Sequence, residues 1–124
     1  MMPACGVANF RKLLVWQKAH ALALLVDRLA GEIRGARYST LRSQLTRAAM
    51  SIAANIVEGK GQESTKDFIR FLRYSVNSSN ELEYHLLVAR DIGAISDADY
   101  EPLEKRSTEV RKMLHGLINR LRDR

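Results

Sequence analysis

The chain has 124 residues, with 20 Lys and Arg against 14 Asp and Glu and 46% hydrophobic residues. That is the length of one domain with enough apolar content for a core, which excludes a disordered chain and most multi-domain enzymes. The formal charge of +6 favours an anionic partner, and the single cysteine, Cys5, excludes an intrachain disulfide framework and a cysteine-based zinc site.

Residues 1–11 read as a flexible tail. No basic stretch leads into a long apolar run there, so no signal peptide is expected. No apolar run approaches 18 residues, so no transmembrane helix is expected either, and the reading is a soluble, cytoplasmic protein without a membrane partner. The first helix is predicted over residues 12–31. Leu14, Ala21, Leu22, Leu25 and Leu29 form one apolar stripe, and Trp16, Ala19, Ala23, Val26 and Ala30 form a second beside it. A surface helix needs only one stripe. The second predicts burial against another subunit, with Trp16, Ala19, Ala23 and Val26 at the oligomer interface.

The second helix is predicted over residues 40–58, with Leu41, Leu45, Ala48, Ile52 and Ile56 inward and a left-handed glycine stop at Gly59 and Gly61. The third is predicted over 64–92. Ser64 and Asp67 match a capping box, Phe68, Phe71, Leu72, Ser75, Leu82, Leu86 and Ala89 share a face, and Gly93 ends the helix. The fourth starts near Ser96 or Asp99; Pro102, harmless only in a first turn, favours the later start, so the helix is predicted over 99–121. No segment reads as a strand. Long helices with short links stack sequential neighbours antiparallel. The fold class is therefore all-α, an antiparallel up-down-up-down four-helix bundle over residues 12–122.

Residues 1–60 hold nine basic and three acidic side chains, and residues 61–124 hold 11 of each, so the whole surplus lies on the first two helices and their loop. Arg34, Arg37, Arg42 and Arg47 cluster around the first turn and are the candidate nucleic-acid-binding residues. The plainer reading of the same charges is a solvated face. No zinc finger, RNP-like strand or helix-turn-helix is present.

Catalytic chemistry finds no footing. His20, His85 and His115 have no His or Cys at i+3 or i+4, and the Glu81/His85 pair is too few ligands for a di-iron bundle, so no metal or cofactor is expected. Cys5 has no basic neighbour to make it a nucleophile. Gly59-Lys60-Gly61 lacks the strand and trailing Lys-Ser/Thr of a phosphate loop. Two oddities remain: Asn55 and Glu58 near a helix C-terminus, and the run Ser75–Glu81, rich in Ser and Asn, inside a helix. They predict a buried polar seam joining Arg47, Asn55, Glu58, Ser75, Ser79 and Glu81, which sets register and partner choice. A ligand pocket is the alternative.

The stretches FRKLLVWQKA (10–19), LTRAAMSIAANIVEGKG (45–61) and FIRFL (68–72), followed by Glu81-Leu82-Glu83, resemble in this order the four-helix-bundle proteins encoded in intervening sequences of bacterial 23S ribosomal RNA, the S23 family. The resemblance covers roughly residues 10–121. It implies a ring-shaped homopentamer of antiparallel bundles with no known catalytic activity. The ribosomal RNA insertions, and a structurally similar RNA-binding accessory protein of diversity-generating retroelements, make RNA the expected nucleic acid. Gln62 stands where the family usually has Arg, and Asn77-Ser78-Ser79 replaces its Arg-Gly-Ser. The two lost cations shift the expected RNA contact toward Arg34–Arg47. The expected function is thus a non-enzymatic homo-oligomer that binds RNA through a basic surface on helices one and two. The alternative is a scaffold or accessory subunit for a protein partner.

Overall fold

Leu22, Val26 and Leu29 recur at helical spacing. So do Leu45, Ile52 and Ile56, then Leu72, Leu82 and Leu86, then Leu103, Val110, Leu114 and Leu121. All of them are buried against one another in a single core. Burying each such side chain contributes about 1.5–3 kcal/mol, which is why these four stripes decide the fold. The computed structural model describes residues 9–123. Among them the helices are α1 (Leu14–Glu32), α2 (Ser39–Lys60), α3 (Thr65–Asp91) and α4 (Asp97–Arg122), with 3-10 turns at Asn9–Lys12 and Ala36–Tyr38 and no strand.

The helices form a ring in which α1 touches α2, α2 touches α3, α3 touches α4 and α4 closes on α1. Their registers run antiparallel. Ser51 meets Ser78, while Gly59, two turns on, meets Phe68. Ser107 bonds Ser79, while Arg90 reaches Asp97 and Tyr100. The α1–α2 and α3–α4 turns therefore share one end of the bundle, and the α2–α3 turn shares the other with the start of α1 and the end of α4.

Several boundaries differ from the sequence reading. The tail expected over residues 1–11, Cys5 included, lies outside the described residues up to residue 8. Residues 9–11 belong to a folded turn, in which the amide of Leu13 donates to Phe10 and the Gln17 side chain to the Arg11 carbonyl. Helix α2 runs through Gly59 to Lys60, and Gly61 has φ −81°, so the glycines do not stop it by a left-handed cap. Gly59 serves close packing instead: a Cβ there would lie 2.9 Å from Phe68 Cδ1 and from Phe71 Cβ. Helix α3 is capped as expected at its start, where Ser64 Oγ accepts from the Asp67 amide at 3.1 Å. The Asp67 carboxylate turns to Arg70 instead of back to Ser64. Gly93, at φ 81°, closes α3 with bonds from its own amide to Arg90 O and from the Ala94 amide to Ala89 O. Helix α4 starts two residues before the predicted Asp99, because Ser96 takes the cap. Pro102 falls in the second turn, where the carbonyl it leaves without a helical partner belongs to exposed Ala98.

Candidate functional site

The four arginines expected to hold nucleic acid fall into two groups, and two of them, Arg42 and Arg47, line one groove of about 450 Å³ with Asp27, Ser43 and Thr46. Arg34 and Arg37 are exposed, with Arg37 4.8 Å over the ring of Tyr38. Arg42 is occupied: its Nη1 donates to Ile33 O and to Gly35 O, both at 2.9 Å, and so ties down the chain leaving α1. Arg47 lies further along α2, where it lines a cleft of about 130 Å³ with Gln44, Ala48, Ser51 and Glu81.

Folding also redistributes the charge. Most acids of α3 and α4 come to the same end of the bundle as the first turn. Two ion pairs straddle the middle, Lys18–Glu109 at 3.7 Å and Arg111–Glu83 at 2.8 Å. Apart from these, the half with the α1–α2 turn holds eight cations (Arg28, Arg34, Arg37, Arg42, Arg47, Arg90, Lys105, Arg106). It also holds eight acids (Asp27, Glu32, Glu81, Asp91, Asp97, Asp99, Glu101, Glu104). Among the described residues the half with the α2–α3 turn holds nine cations (Arg11, Lys12, Lys60, Lys66, Arg70, Arg73, Lys112, Arg120, Arg122) against Glu58, Glu63, Asp67 and Asp123. The surplus that the sequence assigns to residues 1–60 thus belongs, in space, to the other end. Sequence reasoning missed this because it summed charges along the chain; summing them by end of an antiparallel bundle finds it.

That end also carries aromatic rings beside its cations. The Arg70 guanidinium lies 4.7 Å over Phe71 and 5.8 Å from the ring of Tyr74, and Lys60 lies 5.7 Å over Phe68. Arg70 donates to Tyr74 Oη at 3.4 Å and to Asp67 Oδ1 at 3.3 Å. The Tyr74 hydroxyl bond raises the Arg70 pKa above the usual arginine value, outweighing the desolvation that opposes it, and Asp67 adds to the rise.

The interface residues read from α1 need correction. Ala19 and Val26 are fully buried and Ala23 nearly so, all within this chain's own core. In a four-helix ring α1 faces both α2 and α4, so its second stripe is used inside the bundle. Trp16 is half-buried, stacked on His20 at 4.8 Å and edge-on to Phe10 at 4.8 Å. The apolar surface α1 does expose is Leu14 (58%) and Leu24 (57%). With Met50 (58%) of α2, Leu24 lines a groove of about 290 Å³ together with His20, Ala23, Asp27 and Ala53.

The polar seam is real in part. Ser75 and Ser79 are fully buried, where Ser75 donates to Ile52 O at 2.8 Å and Ser79 to Val76 O at 2.7 Å. Asn55 donates to Ser51 O at 2.8 Å, and Ser51 and Ser78 share a bond of 2.8 Å. Ser107 joins from α4, at 3.4 Å from Ser79 O. Arg47, Glu58 and Glu81 are exposed and carry their charge out to water, with Arg47 and Glu81 bordering the seam at Ser51 in one cleft. The seam is a strip of small hydroxyls that lets α2 and α3 approach.

Among the described residues no three His, Cys, Asp or Glu side chains stand close enough to hold a metal, and no helix is long and apolar enough to cross a membrane.

The family model described as 23S rRNA-intervening sequence protein matches residues 11–116. No curated protein matches the chain. A solved structure of a protein of unknown function from the S23 ribosomal protein family of Bacteroides thetaiotaomicron is similar, with a TM-score of 0.80 and 29% identity over 85% of this chain and 98% of its own.

Proposed function

Because this chain belongs to the 23S rRNA-intervening sequence protein family, we propose that it is a non-enzymatic, cytoplasmic homo-oligomer that binds RNA, and that the RNA meets the end of the bundle holding the α2–α3 turn. The observation that carries this reading is the imbalance at that end, nine cations against four acids, beside a neutral opposite end. Phosphates are recognised by such a surplus without sequence preference, and each contact releases a counterion. The oligomeric part of the reading rests on the groove between α1 and α2, where Leu24 and Met50 leave apolar surface in water. Five copies are what the family resemblance implies, and a ring would repeat the basic end and multiply a weak contact by avidity.

The test is fluorescence anisotropy of a labelled structured RNA with purified, nuclease-treated protein at two salt concentrations. The reading predicts binding of about micromolar strength or better at low salt, weakening steeply as salt rises. Absence of binding at low salt contradicts it. The charge would then be a solubility feature, and the bundle a scaffold for a protein partner, recoverable from nuclease-treated extract.

A further inference from the structure

Resting on that RNA reading, we propose that Arg70, Phe71 and Tyr74 form a stacking platform for an unpaired base, so that the ligand is single-stranded or looped RNA and not duplex. Phe71 and Tyr74 stand edge to face, 5.5 Å apart at 84°. The Arg70 guanidinium covers Phe71 at 4.7 Å and is fixed there by Asp67 and by the hydroxyl of Tyr74. Even so fixed, the Arg70 side chain keeps 49% of its surface open, and Tyr74 is 42% exposed. A planar cation and an aromatic ring are thus presented to solvent side by side.

A surface cation–π pair alone explains the Arg70–Phe71 contact. Tyr74 completes that pair by accepting from Arg70, and it keeps its ring open to solvent at the end where cations outnumber acids. Lys66 lies one turn before Arg70 and Arg73 one turn after it, both exposed, so phosphates on either side of a stacked base meet a cation. Stacking on aromatic rings and guanidinium planes together with flanking cations is how proteins hold single strands. An A-form duplex keeps its bases inside the stack, with only their edges and the phosphates accessible, so it uses the charge and not the platform.

The experiment compares a labelled single-stranded RNA of about ten nucleotides, a length typical of such sites, with the same RNA annealed to its complement. Wild type, Tyr74→Leu and Arg70→Lys are each tested. Tyr74→Leu keeps an apolar side chain at an exposed position, and thermal melts verify that each variant folds. The platform predicts that wild type favours the single strand over the duplex, that Tyr74→Leu weakens single-strand binding about tenfold with duplex binding unchanged, and that Arg70→Lys, which keeps the charge and loses the plane, behaves likewise. Equal affinity of wild type for both RNAs, or a Tyr74→Leu variant that binds the single strand as wild type does, overturns the platform and leaves the broader RNA reading standing. Failure of wild type to bind either RNA overturns both.

Discussion

Gly59 of α2 passes so close to Phe71 of α3 that a methyl group at residue 59 would lie 2.9 Å from Phe71 Cβ and 3.2 Å from the carbonyl oxygen of Phe68. These are backbone or near-backbone atoms and cannot swing aside. Alanine gains up to about 1 kcal/mol over glycine in helix propensity, but overpacking costs about 1–3 kcal/mol. Gly59→Ala is expected to destabilise the bundle by about 1 kcal/mol, read as a lower urea midpoint with unchanged slope. A midpoint at or above that of wild type contradicts the close approach.

The same contact continues at Ser75, which is fully buried and bonded to Ile52 O. Ser75→Ala removes one hydrogen bond and is expected to cost about 1 kcal/mol. Ser75→Leu forces α2 and α3 apart and is expected to cost about 3 kcal/mol. If denaturation finds the two equally costly, the serine is kept for its bond and not for its size.

Arg42 separates a structural cation from a binding one. Its bonds to Ile33 O and Gly35 O hold the chain between α1 and α2. Arg42→Ala is expected to lower stability by about 1 kcal/mol and to change RNA affinity less than twofold. A large loss of affinity in a variant of normal stability would return Arg42 to the RNA site.

How much of this was legible in the sequence depends on whether a feature is local. The four helices follow from apolar spacing, and Ser64 and Gly93 mark their helix ends by local chemistry. Gly59 did not, because the same residue type serves a left-handed cap or a close crossing, and only the position of Phe71 decides between them. The double stripe of α1 looked like a subunit interface because a single helix has one buried face, whereas a helix in a closed ring has two neighbours. Arg34, Arg37, Arg42 and Arg47 are close in the chain, and the acids that balance them, Asp91 through Glu104, are distant in sequence and near in space. Charge balance is a property of the fold, which chain order conceals.

The groove on α1 and α2 gives the oligomer its own test. Leu24→Glu with Met50→Glu changes two exposed side chains, so helicity is expected to be retained while the assembled mass falls to that of a single chain, as measured by light scattering. Val26→Glu, at a fully buried site, is expected to unfold the chain. An assembled mass unchanged by the double substitution places the subunit contact elsewhere.

The most direct test of where RNA binds compares two triple variants at opposite ends of the bundle by anisotropy over a range of salt. One is Lys66→Gln, Arg73→Gln, Arg120→Gln; the other is Arg34→Gln, Arg37→Gln, Lys105→Gln. The account predicts that the first weakens RNA binding about tenfold or more and flattens the salt slope by about two, while the second changes affinity less than threefold. The opposite ranking, or equal losses from both ends, would contradict it.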